Sequence, residues 1–234
     1  MKGSENHDCI IVEKKKMDYG NMIGESFEYA KEAVMEKWNK WLMLIIATIL
    51  LGLPLMGYSL KVLRGEKPAP EVEDWGTLFI DGIKYLIISI IYMIPALIIF
   101  FIAIGASVLG LMSEDPATMA AALGGMVLGL LLFVIVLLIT VIFEIIGAVR
   151  FARTGSIGEA FNFGAILATI RKIGWGSYII ALVVLCVVGF VYAIIVSIIQ
   201  MIPILGFIIT FCLIAPWTLF TSRYICQVYD SAGA

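Results

Sequence analysis

Three stretches of this chain run without a single charged side chain: Tyr85–Met112 and Pro116–Phe143, 28 residues each, and Ile173–Ser222, 50 residues. About 20 apolar residues carry a helix across a bilayer core. The three runs therefore hold one, one and two spans. An ordinary soluble domain is about 45–50% apolar, whereas this chain of 234 residues is 62% hydrophobic. The surplus apolar surface needs something other than water to face. The expected fold is all-α, a polytopic membrane helix bundle with four full spans.

A fifth apolar stretch, Trp41 to Leu60, is broken by Pro54. It belongs to one copy of an internal repeat. Ile23-Gly24-Glu25-Ser26-Phe27 returns as Ile157-Gly158-Glu159-Ala160-Phe161, 134 positions on. At the same offset Trp41 meets Trp175, Ile45-Ile46-Ala47 meets Ile179-Ile180-Ala181, and Leu51 meets Leu185. Apolar residues at three- and four-residue spacing predict amphipathic helices over about 19–40, 75–84 and 157–172. These are three interfacial elements with Phe27, Trp38, Trp41, Trp75, Phe79, Phe161 and Trp175 as anchors toward the acyl chains. The plan is a polar, disordered tail over 1–18 and one transmembrane domain over 19–229. That domain comprises repeat units of about 19–65, 70–155 and 156–229, and a short tail over 230–234 follows. No secretory signal precedes Trp41, so the first apolar stretch is expected to stay in the membrane.

Lysine and arginine in short loops orient a membrane protein. Lys61, Arg64, Lys84, Arg150, Arg153, Arg171, Lys172 and Arg223 all fall at the same alternate set of span ends, while the loop over 112–119 holds Glu114 and Asp115 and no base. The basic ends and the C-terminus are expected on the cytoplasmic side of the plasma membrane. The basic N-terminal region wants the same side, which conflicts with a single crossing by Trp41–Leu60. Either that segment is a re-entrant hairpin bent at Gly52-Leu53-Pro54, shielded by protein, or it spans and the two repeat copies are inverted, as in some transporters. Length favours the span; charge and repeat logic favour the hairpin.

Several strings resemble an uncharacterised, mostly archaeal family of membrane proteins, domain-of-unknown-function family 4013. They are Gly57-Tyr58 with Arg64, Trp75-Gly76-Thr77-Leu78-Phe79-Ile80-Asp81-Gly82-Ile83-Lys84, Ile91-Tyr92-Met93-Ile94-Pro95, and Arg150-Phe151-Ala152-Arg153-Thr154-Gly155. The resemblance implies a multi-span membrane protein and brings no activity and no catalytic residues.

Glu144 is the sharpest chemical candidate, following 28 uncharged residues and lying six before Arg150. A buried acid is costly in a membrane and faces the bundle interior or a watery cavity. It is expected to pair with Arg223, Lys84 or Arg171; the alternative is a cation-binding or proton-relay role. Asp81 and Lys84 form a surface pair. Gly125 and Gly129 form a GxxxG that lets helices approach closely, within the chain or between protomers. Pro95 and Pro216 should kink their spans, and Gln200 is expected at a turn. The only histidine is His7, and no motif for nucleophilic or metal-dependent catalysis is present. Cys9, Cys186, Cys212 and Cys226 form no disulfide framework. No enzyme activity, cofactor or metal is expected, and a net charge of −2 gives no footprint for nucleic acid. The expected partners are the lipid bilayer, its anionic head groups and a homo- or hetero-oligomeric neighbour. The function expected first is a scaffold, accessory or regulatory membrane component; the alternative is a small-solute or ion transporter or channel with Glu144 in its path.

Overall fold

The structure is a computed structural model that describes residues 17–35 and 37–233. Of the tail expected over 1–18, residues 1–16, with His7, Cys9 and Lys14 to Lys16, lie outside the described residues. Among the described residues there are nine helices and no strand: α1 Tyr19–Met35, α2 Trp38–Ile49, α3 Leu53–Leu63, α4 Trp75–Leu111, α5 Pro116–Thr154, α6 Ile157–Ala160, α7 Phe163–Ile173, α8 Trp175–Gln200 and α9 Leu205–Asp230. Four of them, α4, α5, α8 and α9, are long and apolar enough to cross a membrane. At 1.5 Å per residue α4 and α5 run about 55 and 58 Å, and α8 and α9 about 39 Å each.

Each long pair is closed by local turn chemistry. Pro116 opens α5, and the Asp115 carboxylate accepts from the backbone N–H groups of Ala117 and Thr118. That arrangement satisfies orphan donors at a helix start. The Thr118 hydroxyl and these amides hold the Asp115 carboxyl below its usual range. Gln200 ends α8, as expected of a turn residue. Ile204 precedes α9 with φ of 61°.

The apolar stretch Trp41–Leu60 is two short helices. α2 ends at Ile49, Leu51 and Gly52 take φ of 60° and 70°, and α3 starts with Pro54 in its first turn. Proline fits the first turn of a helix, where no backbone N–H is needed, and glycine adopts the left-handed conformation freely. The turn then reverses the chain. The Lys40 ammonium donates to the Ala69 carbonyl at 2.8 Å, and Lys37 pairs with Glu71 at 2.6 Å. The approach to α2 and the exit from α3 are thus tied together at one end. At about 18 and 17 Å, neither helix reaches across a core of about 30 Å. The stretch is a re-entrant hairpin.

α3 packs on α4 through glycine. A Cβ at Gly57 would lie 1.9 Å from the Leu78 carbonyl oxygen, and one at Gly82 would lie 1.9 Å from that of Leu53. The backbones touch at two points about one turn apart. The expected separate amphipathic helix over 75–84 does not form; those residues are the first turns of α4, held there by this contact. The one expected over 157–172 is divided into α6 and α7 at Phe161-Asn162, where the Asn162 side chain caps α7 by accepting from the Ala165 N–H. Pro95 and Pro216 lie inside α4 and α9.

The packed core occupies one end of the bundle, where α1, α3, α6 and α7 surround the ends of the spans. Toward the other end the spans are almost bare. Of the most apolar 18-residue window, 6% is buried in both α5 and α8, so the rest of that surface is left for lipid.

Candidate functional site

The charged side chains gather in a layer at the packed end, and most are spent on one another. Arg223, 3% exposed, donates to Glu25 at 3.0 Å, and Lys67 reaches the same carboxylate. Arg150 pairs with Glu159 and Arg153 with Asp230. Arg64 donates to the Ala152 carbonyl at 2.9 Å and to Asp81 at 3.1 Å. The expected Asp81–Lys84 pair is present at 3.1 Å. Glu25 and Glu159 are the acids of the repeated pentapeptide. Each meets an arginine at the end of a span, Arg223 of α9 and Arg150 of α5. The two copies therefore lie at the same end of the bundle and are not inverted. The Arg150 guanidinium holds the Glu159 carboxyl below its usual range, and Lys37 and then Lys40 do the same to Glu71.

Beside this layer α2, α3, α4, α5 and α9 line an open cavity of about 510 Å³. It is lined by the end of α2 and the hairpin turn, with Thr48 and Gly52, and by one face of α3, with Met56 and Ser59. Tyr85 of α4 and Thr218 and Thr221 of α9 form the sides, and Glu144 of α5 is in the wall. Thr48, Ser59, Thr218 and Thr221 each donate to a carbonyl of their own helix. What they keep is acceptor capacity. Tyr85, Ser89 and Tyr92 follow at four- and three-residue spacing on α4 and bring a polar stripe next to Glu144. The Tyr92 hydroxyl is committed to the Ala160 carbonyl at 2.5 Å.

Glu144 has no ion pair among the described residues, contrary to the expected pairing. Of the three bases considered, Arg223 is held by Glu25 and Lys84 by Asp81, while Arg171 is exposed on α7. Each of the first two has a closer carboxylate in the charged layer. The cavity wall is therefore acceptor-rich with a single carboxylate, a set that suits a cation or a hydrogen-bond-donating solute. Sequence reading found Glu144 and missed its surroundings, because the hydroxyls come from four different helices. Spacing within α4 alone, Tyr85-Ser89-Tyr92, was the one signal available.

The remaining candidates are divided in their placement. Arg64, Lys84, Arg150, Arg153 and Arg223 belong to the charged layer. Lys61, Arg171 and Lys172 make no ion pair among the described residues. Phe27, Trp38, Phe79 and Trp175 are exposed, as anchors would be. Trp41 instead donates to the Cys212 carbonyl at 3.2 Å, Phe161 stacks on Tyr92 at 5.1 Å, and Trp75 packs into the core; these three hold the bundle together. Of the GxxxG pair only Gly129 makes a close helix contact: a Cβ there would lie 2.3 Å from the Ala103 Cβ, while one at Gly125 would meet nothing within 4 Å. Among the described residues no group of three metal-ligating side chains converges, and Cys186, Cys212 and Cys226 are free thiols.

The profile of a family described as "Protein of unknown function (DUF4013)" matches residues 41–213. No curated protein and no solved structure matches the chain.

Proposed function

The chain belongs to the DUF4013 family of proteins of unknown function, and from that premise we propose that it is a non-enzymatic membrane protein that binds a small cation or protonated amine in the cavity at Glu144. One observation carries the reading: an acid beside the membrane core, left without a countercharge by bases committed elsewhere, in a wall of acceptor oxygens. An intramembrane carboxylate of this kind marks ion or proton routes. A bound cation would supply the missing countercharge. With the repeat and the broken helix pair of the re-entrant hairpin, the site has the ingredients of a transporter or channel. In this reading the charged layer and both termini face the cytoplasm across the plasma membrane. Lys61, Arg171 and Lys172 are free there to meet anionic head groups.

The test is uptake and binding of monovalent cations and small alkylamines by proteoliposomes containing the purified protein. Wild type should bind or pass one of these, and Glu144→Gln should lower binding at least tenfold, since a charge-assisted contact of about 1.5–3 kcal/mol is lost. Equal behaviour of the two proteins rejects the reading. The second reading is a scaffold or accessory subunit, favoured by the density of ion pairs that lock the packed end. A stoichiometric protein partner retained after mild solubilisation, with no solute binding, selects it.

A further inference from the structure

The molecule is broad at its charged end and narrow at the other. α2 and α3 are too short to cross, and their base is fastened to the charged end through Lys40 and Ala69. They therefore occupy only the adjacent leaflet. The tip of the hairpin is apolar and open: Ile49 is 63% exposed, Leu50 45% and Leu51 87%. The turn satisfies its own amides, with the N–H groups of Leu50, Gly52 and Leu53 bonded to the carbonyls of Ile46, Thr48 and Leu50. A turn whose amides from Leu50 to Leu53 are paired suits hydrocarbon better than one that leaves them open. The expected protein shield over the hairpin is absent at Leu51, and acyl chains fit that surface.

From this asymmetry we infer that the protein is a membrane wedge, which concentrates in and promotes curvature that makes the leaflet next to the charged layer convex. Six helices, α2, α3, α4, α5, α8 and α9, pass through that leaflet, and four of them continue into the other. Each helix displaces a cylinder about 10 Å wide. The leaflet holding two more helices is expanded relative to its partner, and bending relieves the difference. α1 and α7, lying at the same boundary, add to the same leaflet, and interfacial helices are sensitive to curvature in this sense.

The experiment uses the full chain, fluorescently labelled on its N-terminal tail, in phosphatidylcholine–phosphatidylglycerol vesicles. Protein density per area is read vesicle by vesicle, and an impermeant quencher separates the two orientations. Copies with the charged layer outward should be roughly twofold denser on vesicles of about 50 nm than on vesicles of about 400 nm, and inverted copies should show the opposite trend. Density independent of diameter overturns the inference. So does the same trend in both orientations, which reports binding to packing defects and carries no sign of shape.

Discussion

The two hairpins α2–α3 and α8–α9 start from the same repeated sequence and end as different structures. Trp41 and Trp175 stand at equivalent places, and Ile45-Ile46-Ala47 corresponds to Ile179-Ile180-Ala181. Each hairpin turns at a proline flanked by a residue with positive φ, Gly52 before Pro54 and Ile204 after Pro203. The difference is the distance to that proline. Pro54 comes 13 residues after Trp41, while Pro203 comes 28 after Trp175. The first helix stops halfway and returns; the second goes through. The two also rest on different supports. The short hairpin is held by protein, with α3 pressed against the α4 backbone at Gly57 and Gly82. The long one is supported unevenly: of α8 only Tyr178 and Ala181 are buried, while α9 packs on α1 and α3, and the two arms meet at contacts such as Tyr192 stacked on Trp217 at 4.2 Å.

Glycine substitutions should break this comparison most sharply. Gly57→Ala or Gly82→Ala places a methyl on an opposing carbonyl, and overpacking of this kind should cost about 3 kcal/mol. Gly189→Ala in α8 meets Trp217 at an ordinary 3.6 Å and should stay within about 0.5 kcal/mol. Unfolding in mixed detergent micelles reads all three, and equal losses would remove the distinction between the hairpins. Next, Glu25→Gln leaves Arg223 buried and short of its carboxylate, with an expected loss of about 2 kcal/mol by the same assay. Glu159→Gln should cost less, because the Arg150 side chain is more exposed than that of Arg223, 19% against 4%. The reverse order would show that the repeated acids do not do equivalent work.

Smaller effects sharpen the account of the turn. Gly52→Ala forces a left-handed alanine with open space around it and should cost about 1 kcal/mol. The penalty is modest because the added methyl meets no neighbour and only the local backbone strain remains. Least of all, pH should loosen the base of the short hairpin. Lys37 and Lys40 hold the Glu71 carboxyl below the ordinary glutamate value. Its contribution to stability is present above that value and is lost as pH falls through the lower, folded-state pKa. The protection factors of the amides at Trp38–Trp41 should fall as pH drops from about 5 to about 3, and Glu71→Gln should abolish that fall. The α8–α9 hairpin, whose turn carries no charge, should show no such dependence.

Much of this was legible before any coordinates. Uncharged run length gives four spans, because the bilayer converts apolar length directly into crossings. The repeat and the placement of basic residues favour both pentapeptides at one end, while the length of Trp41–Leu60 favours a span between them. Pro54 marks the break in the first apolar stretch. The continuation of Trp75–Lys84 into α4 was not legible, since amphipathic spacing is the same in a separate helix and in the first turns of a long one. The importance of Gly57 and Gly82 was hidden too, because each matters only through a carbonyl on the other helix.

The sequence by itself determined the membrane class, four full crossings and the grouping of charges, all properties of composition and length along one chain. Only the tertiary structure decided that Trp41–Leu60 turns back and that Glu144 stands without a countercharge in a cavity. Both depend on where distant side chains meet: Lys40 on Ala69, Arg223 on Glu25, Lys84 on Asp81. A base can satisfy one nearby acid, and which acid is nearest is a matter of packing.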